Sequence, residues 1–275
     1  MNDPYIDPNS GILRNKFGLV DQESLDQAEA NTVSMRSVLL QRNPFKGDFN
    51  SAHLKAIHFN LFQDVYEWAG QLRTVPLAKA DYIHGGSVTR FTPPDLIEKE
   101  LTRIFQELAI DRFFAGLPRR EFARKMAVLF SEINRIHPFR EGNGRAQRQF
   151  VRQLADNLGH RLHFEIISKE RMIQASILSA SGNSGMMERL MDEITNTERI
   201  QPLKKVIEHL REHDFNWNEV YLATTTPGQS YTGTFAGTDG ANFFFHDEEK
   251  RILVGDSKDL GCQPKSGDRI NFIAS

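Results

Sequence analysis

Between residues 119 and 135 the apolar positions Phe122, Met126, Leu129, Phe130 and Ile133 recur at the three-and-four spacing of one helix face. The same period predicts further helices over 22–40 behind an Asp21 cap and over 51–68 with Ser51 at its cap. Leu54, Ile57, His58, Leu61, Phe62 and Val65 form the apolar side of the second. It also predicts helices over 95–110 after Pro93-Pro94, over 145–158 with Phe150, Val151 and Leu154 inward and Gly159 as its stop, and over 168–180 and 186–195. A last helical stretch, 200–213, starts at Pro202 and carries Leu203, Val206, Ile207 and Leu210 as its stripe. Residues 5–20 read as an irregular arm, and 70–94 break the helical period with short strand-like runs around Gly85-Gly86.

From residue 220 the period changes to strand-like runs over 220–225, 230–238, 242–245, 251–255 and 268–274, separated by turns at Pro227-Gly228, Asp239-Gly240 and 247–250. Five short strands of this kind predict a small β-barrel of the OB type. The expected fold is therefore mainly α, a helical core over 1–200 followed by a connecting helix and a small OB-like β domain over 201–275.

Composition narrows the function. The chain has 275 residues, a formal net charge of −2 and a single cysteine, Cys262. That leaves no disulfide framework and no basic footprint for nucleic acid. Residues 201–275 carry eight Lys/Arg against eleven Asp/Glu, so the OB-like part is expected to dock protein and not nucleic acid. Phe243, Phe244 and Phe245 alternate faces in any strand, which puts part of that run in a core. His53 and His58 lack the spacing and the cysteines of a zinc site. The start Met-Asn-Asp-Pro-Tyr has no signal-peptide pattern, and no apolar run reaches membrane-spanning length. The expectation is a soluble protein whose export, if any, uses a signal not visible in the sequence.

The densest chemistry lies in His137-Pro138-Phe139-Arg140-Glu141-Gly142-Asn143-Gly144-Arg145-Ala146-Gln147-Arg148. A helix start offers unpaired N–H groups and the positive end of a dipole, which suits phosphate. Gly142 and Gly144 let backbone approach an anion, and Arg145 and Arg148, three apart, lie on one helix face. A single carboxylate, Glu141, suits Mg²⁺ carried by substrate phosphates. His137 is the side chain whose ordinary pKa suits a general base near neutrality.

His-Pro-Phe-x-Glu-Gly-Asn-Gly-Arg-x-x-Arg resembles the signature of the Fic family, and Asp64-Val65-Tyr66-Glu67-Trp68-Ala69-Gly70 with Arg73 resembles a second hallmark of it. The resemblance spans roughly residues 5–197 and extends to bacterial Fic toxins and secreted effectors, some with a small OB-like domain. It implies a protein adenylyltransferase that moves AMP from ATP to a Ser, Thr or Tyr hydroxyl. His137 is implied as the base, Glu141 as the Mg²⁺ ligand and Phe139 as the loop anchor. The nucleotide-binding set is Arg140, Gly142, Asn143 with its side chain, Gly144, Arg145 and Arg148, with Asn183 against the base. A β-hairpin flap over about 73–92 is implied to register the target, with Leu77, Ala78, Lys79, His84 and Arg90 as docking residues. The implied partners are ATP, a hydroxyl-bearing target protein such as a small GTPase or a topoisomerase, and a small antitoxin carrying an inhibitory helix. Such a helix reads Ser/Thr-x-x-x-Glu-Gly/Asn; the half-match Ser184 to Glu188 falls inside a helix and reads as chance. Two alternatives stand beside this reading: transfer of UMP or phosphocholine, and a non-catalytic protein-binding module.

Overall fold

The computed structural model describes residues 3–81 and 87–275, and their side chains except those of Asp81 and Ser87. Backbone contacts divide the chain into two compact units, Met1–His160 and Arg161–Ser275.

In the first unit an arm precedes the helices, with Ile6 bridged to Leu13 and the Lys16 N–H donating to the Val65 carbonyl at 2.8 Å. Helix α1 (Gln22–Arg42) starts at Asp21, whose side chain accepts from the Ser24 N–H as predicted. Helix α2 (Ser51–Phe62) is capped by Asn50 instead of Ser51: Asn50 is extended and its side chain accepts from the His53 N–H. The predicted continuation to Trp68 does not form. Gly70, at φ +79°, folds the chain back so that its N–H donates to His58 Nδ1 at 2.8 Å. Val65, Tyr66 and Trp68 are buried all the same, so the run is apolar for the core and not for a helix face. Strands β1 (Ala78–Asp81) and β2 (Ser87–Arg90) pair antiparallel, Ala78 opposite Arg90. Helices α3 (Ile97–Ile110), α4 (Arg119–Ile136) and α5 (Asn143–Asn157) complete the unit, α5 starting two residues earlier than the apolar stripe predicts.

Helix α2 packs against α1, α3 and α5, and α4 against α3 and α5. Leu54, Ile57, Leu61 and Phe62 of α2 are buried, as are the stripes of α4 (Phe122, Met126, Phe130) and α5 (Phe150, Leu154). Each such side chain contributes about 1.5–3 kcal/mol by leaving water.

In the second unit, helices α6 (Lys169–Ala180), α7 (Gly185–Thr195) and α8 (Thr197–Glu212) precede the sheet. Helix α8 begins well before Pro202, which lies inside it, because the Asn196 side chain caps the first turn by accepting from the Glu198 N–H. Strands β3 (Leu222–Thr224), β4 (Ser230–Thr238), β5 (Asn242–Asp247), β6 (Ile252–Asp256) and β7 (Arg269–Ile273) form one sheet in the order β3-β6-β5-β4-β7. Only β3 and β6 run parallel. Of the predicted small OB-like barrel, the five strands and their single sheet are present, with β3 and β7 at the two ends of the order.

Phe243 and Phe245 are fully buried with Phe235 and Phe272 on one face, while Phe244 turns to the other, the alternation expected of adjacent strand residues. A buried ion pair, Arg171 with Glu193, ties α6 and α7 to β3. Arg171 donates to the Leu222 carbonyl at 3.1 Å, and Glu193 accepts from the Thr224 N–H at 3.1 Å and its hydroxyl at 2.7 Å. The boundary predicted between 200 and 201 therefore falls within α8, inside this unit. Among the described residues no helix is long and apolar enough to cross a membrane.

Candidate active site

Helix α4 stops because His137 takes a left-handed backbone, φ +49° and ψ 62°, with its N–H donating to the Ile133 carbonyl at 3.0 Å. A side chain in that region costs on the order of 1 kcal/mol. Arg73 holds the turn against that cost. Its Nε donates to the His137 carbonyl at 2.8 Å, Nη1 to Val75 at 2.7 Å, and Nη2 to Thr92 and to Ile136 at 3.2 Å. The Arg73 N–H adds a bond to the Pro138 carbonyl at 2.9 Å.

The His137 ring is buried and stacks on Phe91, just beyond β2, with centroids 3.8 Å apart at 15°. Burial above all, then the positive charges of Lys79 and Arg73, pushes its pKa down to about 3 against the opposing Asn134 backbone. The imidazole is therefore neutral at pH 7, the form that accepts a proton.

The loop after His137 is clamped from inside. Asn143 Oδ1 accepts from the Phe139 N–H at 2.8 Å while its Nδ2 donates to the Phe139 carbonyl at 2.7 Å. The Asn143 side chain, expected on phosphate, is buried here and bonded to the loop's own backbone. Phe139 is the anchor, buried and stacked on His58 at 3.8 Å. Because His58 Nδ1 accepts from the Gly70 N–H, its proton sits on Nε2, which donates to the Glu141 carbonyl at 2.9 Å. Gly142, at φ +82°, passes so close to Phe62 that a Cβ there would lie 2.2 Å from the ring.

Helix α5 then opens with Asn143 and Gly144, whose N–H groups precede any intrahelical acceptor. The two arginines expected to act together diverge. Arg145 turns to α1: its Nη2 lies 2.6 Å from Glu29 Oε1 and 3.3 Å from Glu141 Oε1, and its guanidinium sits 4.8 Å from the Phe62 ring centre. Arg148 folds back along α5 toward Gly144, with Nη1 3.3 Å from the position of a Cβ on that glycine. Burial, then the charges of Arg145 and Arg152, pushes the Arg148 pKa down to about 10. A desolvated cation among like charges is a strong site for an anion. Shared helix face did not mean shared partner, because Glu29 claims only the nearer guanidinium.

Arg140, also expected on nucleotide, instead pairs with Asp3 of the arm at 2.8 Å. On the flap, Leu77 is half-buried and Ala78, Lys79 and Arg90 are exposed, while His84 lies outside the described residues. Asn183 belongs to the second unit, exposed in the turn between α6 and α7, where its Oδ1 accepts from the Gly185 N–H at 3.2 Å. That bond explains it as a turn residue. The Ser184 hydroxyl donates to Glu188 at 2.7 Å within the start of α7, consistent with the chance reading of that half-motif.

Sequence reasoning missed Glu29, the Tyr66 hydroxyl that donates to it, and the role of His58. One signal existed. Glu29 interrupts the buried stripe Leu25, Val33, Leu40 of α1, where a carboxylate needs a partner.

A helix–loop–helix with a buried neutral imidazole at one helix end and an arginine-flanked, anion-ready start at the next defines a protein class. The Fic/DOC family profile matches residues 48–155. The chain is 33% identical to a protein adenylyltransferase of Bartonella henselae over 98% of its own length and 52% of that protein's, so it spans about half of that relative. Among solved structures, the type IV secretion system effector protein BepA matches with a TM-score of 0.87 and 32% identity, over 98% of this chain and 95% of that one. The VirB-translocated effector BepC of Bartonella tribocorum, with bound AMPPNP, matches with a TM-score of 0.63 and 31% identity over 70% of this chain and 96% of that one. The chain belongs to the Fic/DOC family.

Proposed function

We propose that the protein transfers AMP from ATP to a Ser, Thr or Tyr hydroxyl of a target protein. The observation that carries this reading is Arg148, a desolvated guanidinium turned onto Gly144 at the open start of α5, with the neutral His137 at the preceding helix end. The adenylyltransferase relatives and the AMPPNP-bound BepC support it.

In this mechanism the His137 imidazole takes the hydroxyl proton as the oxygen attacks the α-phosphorus. The bond between the α-phosphorus and the bridging oxygen to the β-phosphate breaks, and pyrophosphate leaves. The first-turn N–H groups of α5 and the Arg148 guanidinium bind phosphate oxygens. Gly142 and Gly144 keep that approach open, and Phe139, Asn143 and His58 hold the loop's shape.

Glu141 fits a single-carboxylate Mg²⁺ site. Its Oε1 is engaged by the Gly142 N–H at 2.8 Å, its side chain is accessible, and among the described residues no group of three His, Cys, Asp or Glu gathers to cage a metal. Mg²⁺ held there by Glu141 and the nucleotide would offset charge on the departing phosphates.

Strands β1 and β2 each pair on one side only among the described residues, so either free edge can take an extended target segment by main-chain bonding. Leu77, Ala78, Lys79 and Arg90, with His84, are the proposed docking side chains. Lys79 and Arg90 favour an acidic segment. Residues 1–200 are proposed as the catalytic part and 201–275 as an OB-like protein-docking module. The likeness to secreted effectors supports a bacterial effector or toxin acting in a cytosol. Arg148 is the group that the glutamate of an antitoxin's inhibitory helix would engage.

The test is transfer of label from ATP labelled at the α-phosphate, with Mg²⁺, into proteins of host and bacterial lysates. A parallel reaction carries the label at the γ-phosphate. Label from the α position alone, lost in His137→Ala, is the expected result. Small GTPases and topoisomerases are the first targets to assay. Label from the γ position, or none with either donor, overturns the reading; in the second case UTP and CDP-choline are tried next.

A further inference from the structure

We propose that Glu29 of α1 is a positioning residue for the α4–α5 loop: it draws Arg145 away from the phosphate site and, through Arg145, sets the orientation of the Glu141 carboxylate. The inference rests on the nucleotide reading above and extends it to a residue more than a hundred positions from the loop.

Glu29 is 9% exposed and uses both carboxylate oxygens. Oε1 pairs with Arg145 Nη2 at 2.6 Å, and Oε2 accepts from the Tyr66 hydroxyl. Burial and the Glu29 charge push the Tyr66 phenol up, so it remains a donor at any working pH. The same Arg145 nitrogen reaches Glu141 Oε1 at 3.3 Å, and that oxygen also accepts from the Gly142 N–H. Phe62, the ring that closes on Gly142, lies under the Arg145 guanidinium. Arg145 is thus shared between two carboxylates, closer to Glu29 than to Glu141.

The sharing has a chemical consequence. With the Glu29 charge present, Arg145 is largely neutralised and takes only a loose hold on Glu141, which keeps that carboxylate aimed but available to a cation. Without it, the full positive charge falls on Glu141 and competes directly with Mg²⁺. Glu29 therefore acts through Arg145 on metal-assisted nucleotide binding. A pair that merely fastens α1 to the core would alter stability alone.

The experiment is calorimetric titration of AMPPNP into the full chain at stepped Mg²⁺ concentrations, for wild type, Glu29→Gln and Tyr66→Phe. Glu29→Gln keeps shape and the bond to Tyr66 but removes the charge. The Mg²⁺ concentration giving half-maximal enhancement of binding is expected to rise about tenfold, within the range contributed by outer partners of metal ligands. Affinity without Mg²⁺ should be unchanged, because Arg145 then pairs with Glu141 and not with phosphate. Tyr66→Phe, which removes the hydroxyl steering Glu29, should move the Mg²⁺ midpoint in the same direction by less, and it carries the test if Glu29→Gln fails to fold. A wild-type Mg²⁺ midpoint in the folded variants, with only a lower Tm, overturns the inference. Wild-type protein that binds no AMPPNP overturns the nucleotide reading instead, so the two failures are distinct.

Discussion

Arg148 lies over Gly144 on the first turn of α5, its Nη1 3.3 Å from where a Cβ at 144 would stand. In the proposed mechanism the glycine keeps backbone N–H and guanidinium open to the same phosphate. Gly144→Ala is expected to move the guanidinium by a few tenths of an ångström and weaken ATP binding about tenfold, with Tm nearly unchanged. Arg148→Ala should cost about 2–3 kcal/mol of ATP affinity, and Arg148→Lys should recover only part, because an ammonium lacks the planar fork. Titration calorimetry with ATP measures all three.

Gly142 answers to a different constraint. Its φ of +82° strains any side chain, and a Cβ would meet the Phe62 ring at 2.2 Å. Gly11 has a similar φ of +74° with open space around it. Gly142→Ala should destabilise by about 3 kcal/mol against about 1 kcal/mol for Gly11→Ala. The difference, read from urea midpoints, isolates the contact with Phe62.

Arg73 is buried and donates its side-chain N–H groups to four carbonyls, those of Val75, Thr92, Ile136 and His137. A lysine reaches fewer of them and strands the rest. Arg73→Lys should cost about 3 kcal/mol in stability and abolish transfer by freeing the His137 turn. Urea unfolding and the α-phosphate labelling assay read the two effects.

Three buried histidines, His53, His58 and His137, couple stability to pH, the last two most strongly. Burial holds His58 at about 4 and His137 at about 3, below the ordinary 6.5. In the unfolded chain both take up protons as the pH falls through 6.5, while the folded protein takes up neither until far lower. The stability they contribute is whole above about pH 6.5 and is lost as pH falls toward 4 and 3. Between pH 6.5 and 5 the slope approaches about 1.4 kcal/mol per pH unit for each of these two. Urea midpoints across that window should fall accordingly, and His137→Asn should reduce the slope by about 1.4 kcal/mol per pH unit.

The sequence by itself determined the α4–α5 loop and its chemistry, because the base, the carboxylate, the glycines and the arginines lie within twelve consecutive residues and local geometry carries them to one place. It also determined the stripes of α4 and α5, since helical period repeats within a few turns. Only the tertiary structure decided which arginine stays beside Gly144 at the start of α5. Arg145 is captured by Glu29, far away in the chain, and ion pairing between distant elements leaves no periodic trace. The same reason hides His58 behind its helix stripe until Gly70 and Glu141 close on its two nitrogens. It left Asn143 legible as a polar loop residue but not as a clamp on Phe139. The five strands were legible one by one. Their edges were not, because whether β3 meets β7 depends on sheet curvature and strand pairing that no single run of residues encodes.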